Sequence, residues 1–362
     1  MRSLRGVIRQ RSTSAAAVAP GSISSAAALR KQTSRLPVAK LPPLPYSENF
    51  ELRKKHLGPA LSMHYQESER GPLKLSFGQG QYLYDDKGER YLDCVNNVCH
   101  IGHCHPRTVQ AAATQLAQLN TNSRYLHDNI VRLGQEITSL MPDPLEVRAA
   151  PSLLLLSSAP LCHPDDATLL VAPLLQVAIF VNSGSEANDL ALRLARNYTG
   201  RKHVFCVEGA YHGNTASTLA ISPYNKYGPT EAPEGVVRLM SPDQYRHGLS
   251  GEAMTAKATA EFAALLESGA LPPAAFIVES LICCGGQVVP PDGYLRGMHE
   301  LVRRHGGVAI ADEVQTGFGR VGSHMWAFES HGATPDIVTL GKPFGNGFPL
   351  SAVITTREIA ES

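Results

Sequence analysis

The sequence predicts an α/β fold: a mostly parallel, doubly wound sheet with a smaller N-terminal α+β segment. Three observations carry this expectation. From Val177 onward, short apolar runs alternate with amphipathic stretches. Four of the runs end in Gly-, Ser- or Asp-containing turns, and ligands of such sheets sit at the carboxyl ends of strands. With 43% apolar and 18% charged residues, a chain of 362 can bury at least one large core. Global disorder and a polytopic membrane protein both fit poorly, given ordinary Gly and Pro usage and a mean hydropathy of −0.12.

Residues 1–47 hold eight basic residues and no carboxylate, the first being Glu48. This Arg-, Ser- and Ala-rich leader lacks a long apolar run, and predicts a disordered transit peptide for mitochondrial import. The rest of the chain has 25 basic against 32 acidic residues, which argues against a nucleic-acid partner. Seven cysteines without a secretory signal read as thiols in a reducing compartment.

An N-terminal segment is expected over 48–140. Its composition becomes globular after Pro45; the stretch from Leu52 to Pro72 is mixed and helical at first, a hairpin is expected over 81–93 around Asp86-Lys87-Gly88, and 106–140 reads as mainly helical. The large domain is expected over 141–362. Its strands are placed at 177–181, 203–207, 275–279, 307–311, 336–340 and 351–355. Helical spacing links Ala187, Leu190, Ala191, Leu194, Ala195 and Tyr198, and recurs at about 252–268 and 293–305. The stretch from 148 to about 176, Leu- and Pro-rich with no period, is expected as an atypical insertion too short to span a membrane.

Four strand ends carry the chemistry. Phe180-Val-Asn-Ser-Gly-Ser-Glu-Ala-Asn188 is a strand, a tight turn and a helix start, whose free N–H groups suit a phosphate; many helices begin this way without a ligand. Glu208-Gly-Ala-Tyr-His-Gly213 puts an aromatic ring and an imidazole on a loop, either to stack on a flat cofactor or as a buried Tyr beside a core His. Val308-Ala-Ile-Ala-Asp-Glu-Val-Gln315 ends an apolar strand in two carboxylates, one of which could pair with a protonated ring nitrogen. Asp336-Ile-Val-Thr-Leu-Gly-Lys342 delivers a lysine to a Gly-rich turn, a position suited to Schiff-base chemistry.

A phosphate turn, a stacking aromatic, a strand-end Asp and a strand-end Lys are the parts a pyridoxal 5'-phosphate site needs. The chain resembles the class III (ω-amino acid) aminotransferases, fold type I pyridoxal phosphate enzymes, over roughly 52–147 and 179–362. The resemblance implies that Gly184 and Ser185 bind the cofactor phosphate and that Tyr211 stacks on the ring with His212 beside it. It further implies that Asp312 pairs with the ring nitrogen, Val314 presses the opposite face and Gln315 contacts the ring hydroxyl. Lys342 would bind the cofactor covalently and move the proton. It also implies a homodimer acting on a small-molecule amine, and a C-terminal domain past Ser362, so the fold expected here lacks that domain.

Within the family, four stretches look most like the phospho-lyase branch, which acts on ethanolamine phosphate or 5-phosphohydroxylysine. They are Leu52–Pro59, Asp93–Asn97, Asn120–Asn129 and Glu279-Ser280 with Gly285–Pro291, where ordinary class III aminotransferases usually have Pro in place of Ser280. Gln315-Thr-Gly317 and Asn346–Leu350 lean toward the aminotransferases, so a transaminase of alanine-glyoxylate or ω-amino acid type stays open, as does an inactive truncated homologue. Arg124 is the candidate for the substrate phosphate, the alternative being a helix-surface ion pair.

Two other motifs are weaker. Cys94, Cys99, His100, His103, Cys104 and His105 invite a zinc site, but no second ligand pair follows, so no metal is expected. Gly317-Phe-Gly-Arg-Val-Gly322 matches GxGxxG, yet lacks the helix and the later acidic residue that dinucleotide binding requires.

Overall fold

The computed structural model describes residues 42–58, 63–65, 69, 71–142, 174–224 and 229–362. Most of the expected leader (to residue 41) and of the expected insertion (148–173) lies outside the described residues.

The described chain begins with helix α1 (Tyr46–His56) and a three-stranded sheet in the order β1 (Leu75–Gln79), β2 (Tyr82–Asp85), β3 (Arg90–Leu92). The expected hairpin closes at Asp85, whose carboxylate accepts from Lys87 N at 2.9 Å and Glu89 N at 2.8 Å, while Gly88 takes φ 85°. Helices α2 (Pro106–Gln118) and α3 (Asp128–Ser139) follow. Two compact units emerge: a smaller one over the described parts of 1–77, 84–89 and 106–122, and a larger one over 78–83, 90–105 and 123–362.

The larger unit is built on a seven-stranded sheet in the order β4-β10-β9-β8-β7-β5-β6. These are β4 (Val177–Val181), β5 (His203–Val207), β6 (Val236–Leu239), β7 (Pro273–Glu279), β8 (Val308–Asp312), β9 (Ile337–Leu340) and β10 (Ser351–Thr355). β6-β5-β7-β8-β9 run parallel, and β10 is antiparallel to both β9 and β4. The direction of β4 therefore matches β9, and the carboxyl ends of β4, β5, β7, β8 and β9 share one edge.

Alternate residues feed two cores, as a sheet covered on both faces requires. Val204, Cys206, Ala275, Ile277 and Ile310 pack with helix α4 (Gly184–Thr199); Phe205, Val207, Phe276, Val278 and Ala309 pack with α7 (Gly251–Glu267) and α8 (Tyr294–Arg304). Between β5 and α7 lie the short helices α5 (Ala216–Ala220) and α6 (Gln244–His247), and α9 (Arg357–Ala360) closes the chain. α4 starts at Ser183, whose hydroxyl accepts from Glu186 N, and ends at Gly200 in the left-handed conformation. The Glu186 carboxylate accepts from the Asn182 N–H rather than from the Ser183 N–H, so the helix start is capped on one side only.

Candidate active site

Asp312, the last residue of β8, is buried and ties three elements together. Its Oδ2 accepts from His212 Nδ1 at 2.8 Å and from Asn188 Nδ2 at 2.7 Å, and its Oδ1 from Val314 N at 3.0 Å. The Asn188 amide also donates to His212 O at 2.8 Å, so one α4 side chain fixes both the carboxylate and the imidazole loop. A carboxylate offers about four lone-pair sites, and these three donors leave one for a ligand. The neighbouring carboxylate has another task. Glu313 faces away and accepts from Thr316 Oγ1, Ala327 N and Phe328 N, holding the turn after β8 and the 3-10 helix Ala327–His331.

Gly184, Val314 and Gly341 form a close-packed cradle. A Cβ on Gly184 would lie 2.6 Å from Val314 Cγ1, and one on Gly341 would lie 2.8 Å from the same methyl, so neither position tolerates a side chain without movement. Ser185 Oγ accepts from Asn214 N at 3.2 Å, and a Cβ on Gly213 (φ 134°) would lie 2.6 Å from that oxygen. The turn that opens α4 and the Tyr211-His212 loop are thus pressed together. Lys342 is half-buried in the turn after β9 and makes no hydrogen bond or ion pair with a described residue.

The sequence marks Glu279 only as part of a branch-like stretch and Asn188 only as the end of the strand-turn-helix motif; the structure brings both to Asp312 and the Tyr211-His212 loop. Glu279 pairs in register with Asp312 on the adjacent strand, and its carboxylate accepts from Tyr211 N at 2.9 Å and Cys283 N at 3.2 Å. Burial, with Asp312 adding to it and His212 opposing, pushes this carboxyl up to about 7. The Cys284 thiol is raised by burial and by Glu279 and drawn down by Lys342, while the Tyr211 hydroxyl is raised by burial and then by Cys284. Gln315 accepts from Asn97 Nδ2 at 2.6 Å, a partner from the segment read in the sequence as a metal candidate.

In that segment His103 Nε2 meets Asp93 Oδ2 at 2.7 Å, and both His100 nitrogens are engaged, by Phe318 O and Arg320 Nη2. Among the described residues no group of three or more His, Cys, Asp or Glu is placed to hold a metal ion. Gly317–Gly322 lies in turns and opens no α-helix. Arg124 lies exposed in the turn before α3, and none of the hydrogen bonds described for Asp312, His212 or Gln315 runs to it.

The residues fit pyridoxal phosphate. Among the described residues His212 Nε2 and Asn188 Oδ1 are buried without hydrogen-bond partners, the glycine cradle admits backbone approach, and Lys342, with no hydrogen bond or ion pair to a described residue, stands at the same strand edge. By fold and by site the molecule falls in the class of fold type I pyridoxal phosphate proteins. The sequence profile described as Aminotransferase class-III matches residues 65–362, and the chain belongs to that family, which uses pyridoxal phosphate.

Similar proteins include "Alanine--glyoxylate aminotransferase 2-like" of Drosophila melanogaster, 44% identical over 87% of this chain and 59% of the relative. "Ethanolamine-phosphate phospho-lyase homolog 1" of Caenorhabditis elegans is 38% identical over 87% of this chain and 64% of the relative. A phospholyase from Arthrobacter, solved in complex with phosphoethanolamine, superposes with a TM-score of 0.72 and 32% identity over 86% of this chain and 67% of that one. The chain thus spans about three fifths of the length of these curated relatives.

Proposed function

We propose that the chain is a pyridoxal-phosphate-dependent phospho-lyase, acting on a phosphorylated primary amine such as ethanolamine phosphate or 5-phosphohydroxylysine. The observation that carries this reading is the similarity, across 86% of the chain, to a phospholyase solved with phosphoethanolamine. It is supported by Ser280, buried directly after β7 beside Glu279 in the branch-like stretch.

In this reading Ser185 and the N–H groups opening α4 bind the cofactor phosphate, and Tyr211 covers the ring with His212 behind it. Val314 presses the opposite face, Gln315 meets the ring hydroxyl, and Asp312 holds the ring nitrogen protonated through its open lone pair. When bound, the cofactor supplies an electron sink for charge left at the amino-bearing carbon. Lys342 would hold the cofactor, and its Nζ, once free, would serve as the base that takes the proton from that carbon. Phosphate departs from the adjacent carbon, and water completes the conversion to aldehyde and ammonia.

Lys342, Asp312 and the cofactor residues would also serve a transaminase, the reading favoured by the 44% identical relative named as an aminotransferase. The discriminating assay incubates the protein with pyridoxal phosphate and ethanolamine phosphate, and measures both phosphate release and amino transfer to pyruvate or glyoxylate. Release without transfer is expected; transfer without release would select the transaminase. Arg124 is the proposed cation for the substrate phosphate, and Arg124→Ala should raise KM for the phosphorylated amine with little change in kcat. An unchanged KM removes it from that role.

Two further proposals accompany this reading. A homodimer is expected to elute at twice the chain mass in light scattering, and a fusion of residues 1–47 to a fluorescent protein is expected to enter mitochondria. Among the described residues no helix is long and apolar enough to cross a membrane.

A further inference from the structure

We infer that Asn97 is a positioning residue that fixes which end of the Gln315 amide faces the cofactor, presenting an N–H donor rather than a carbonyl to the ring oxygen. This rests on the proposed placement of Gln315 against the ring. An amide side chain has one acceptor oxygen and one donor nitrogen, and a rotation of 180° exchanges them. Here the oxygen is engaged: Asn97 Nδ2 donates to Gln315 Oε1 at 2.6 Å. The nitrogen is left with Cys284 Sγ at 3.9 Å, a weak acceptor at the limit of hydrogen-bond reach. The Gln315 amide nitrogen thus stands on the Cys284 side of the side chain, and the Cys284 thiol is in turn drawn down by the charge of Lys342.

Asn97 is itself held. Its carbonyl accepts from Arg320 Nη2 at 3.0 Å, and the same guanidinium meets His100 Nδ1 at 3.0 Å. Four residues on from Asn97, Ile101 N donates to Asn346 Oδ1 at 3.0 Å and Asn346 Nδ2 donates to Gly102 O at 3.1 Å. Asn346 adopts φ 46° to do so, directly in the loop that follows Lys342. Segment 97–102 is therefore laced to the loops after both β8 and β9. Its orientation of Gln315 is tied to the position of Lys342. The charged and titratable groups around the amide pair are Arg320 and His100 beside Asn97 and Cys284 beside Gln315, with Lys342, Glu279 and Asp312 acting on Cys284.

A donor aimed at the ring oxygen stabilises that oxygen in its proton-free form, and so lowers the pH at which the bound cofactor's visible absorption changes. The test is spectrophotometric titration of the cofactor-loaded protein, with the pyridoxal phosphate dissociation constant measured alongside. Gln315→Leu removes the donor and should raise the midpoint by about one unit. Asn97→Asp offers only acceptors, so Gln315 must turn its N–H toward it and its carbonyl toward the ring; the midpoint should rise at least as far. In the Asn97→Asp/Gln315→Leu double variant no amide remains to turn, and the Asp should add almost nothing to the Leu shift.

An Asn97→Asp shift that persists undiminished in the double variant would show a plain charge effect and overturn the inference. So would an unchanged midpoint in Asn97→Asp while Gln315→Leu shifts, or a fall in Gln315→Leu, which would mean that the carbonyl already faces the ring. A Gln315→Leu midpoint equal to that of the parent, or a parent that does not bind the cofactor, refutes the placement of Gln315 itself. The inference then falls with it.

Discussion

Val314 wedged between Gly184 and Gly341 makes a quantitative prediction. In Gly184→Ala the new Cβ would stand 2.6 Å from Val314 Cγ1 and 2.9 Å from Cγ2, where ordinary contact begins at 3.4 Å. The methyls must retreat by roughly 0.8 Å inside a packed site, an overpacking that costs about 1–3 kcal/mol. The intrinsic preference of the first turn of α4 for Ala over Gly works the other way by up to about 1 kcal/mol, so a net loss of about 1–2 kcal/mol is expected. That corresponds to a fall in Tm of about 2–8 °C. Because Val314 is also the proposed ring contact, pyridoxal phosphate affinity should fall about tenfold or more, each ~1.4 kcal/mol being a factor of ten. The assays are thermal unfolding of the apoprotein and fluorescence titration with the cofactor. Val314→Ala removes both methyls, so the Gly184→Ala/Val314→Ala double variant should lose less stability than the sum of the singles. A Gly184→Ala protein with unchanged Tm, or strictly additive losses, would refute the cradle.

Glu313→Ala should cost about 2–5 kcal/mol in urea unfolding, because it leaves the buried Ala327 and Phe328 N–H groups without an acceptor; a cost below 1 kcal/mol would show that the turn relaxes. Burial drives His299 down to about 3. Its folded form therefore stays neutral while the unfolded chain protonates near 6.5, so stability is lost as pH falls from about 6.5 toward 3. His299→Leu should flatten that part of the curve, and an unchanged slope would count against a neutral His299. Glu279 shifts the other way, to about 7, so its contribution is present below about 4.5 and lost as pH rises through 7. Glu279→Gln should reduce the loss of stability between pH 4.5 and 7, and a slope identical to the parent's would place the titration elsewhere.

The central strands were legible because both faces are covered, so Phe205, Ile277 and Ile310 all stand in continuous apolar runs. β6 escaped because Val236-Val-Arg-Leu239 is short and carries an arginine; β1 escaped because Leu75–Gln79 is mostly exposed. The reversal of β10 is not written in composition at all, since an apolar run has no direction. Asp312, Tyr211 and Lys342 could be read because each lies at, or within four residues of, the end of an apolar run. Asn188, Glu279 and Asn97 could not be given roles, because the partners that define them lie 124, 68 and 218 residues away along the chain. The pair of carboxylates at 312 and 313 separates in the structure into one site residue and one structural acceptor.

The most direct test of the cofactor assignment is borohydride reduction of the protein after incubation with pyridoxal phosphate, followed by peptide mass spectrometry. A single reduced pyridoxyl adduct on Lys342, absent in Lys342→Ala, is the expected result. Labelling scattered over surface lysines with Lys342 unmodified would contradict the account.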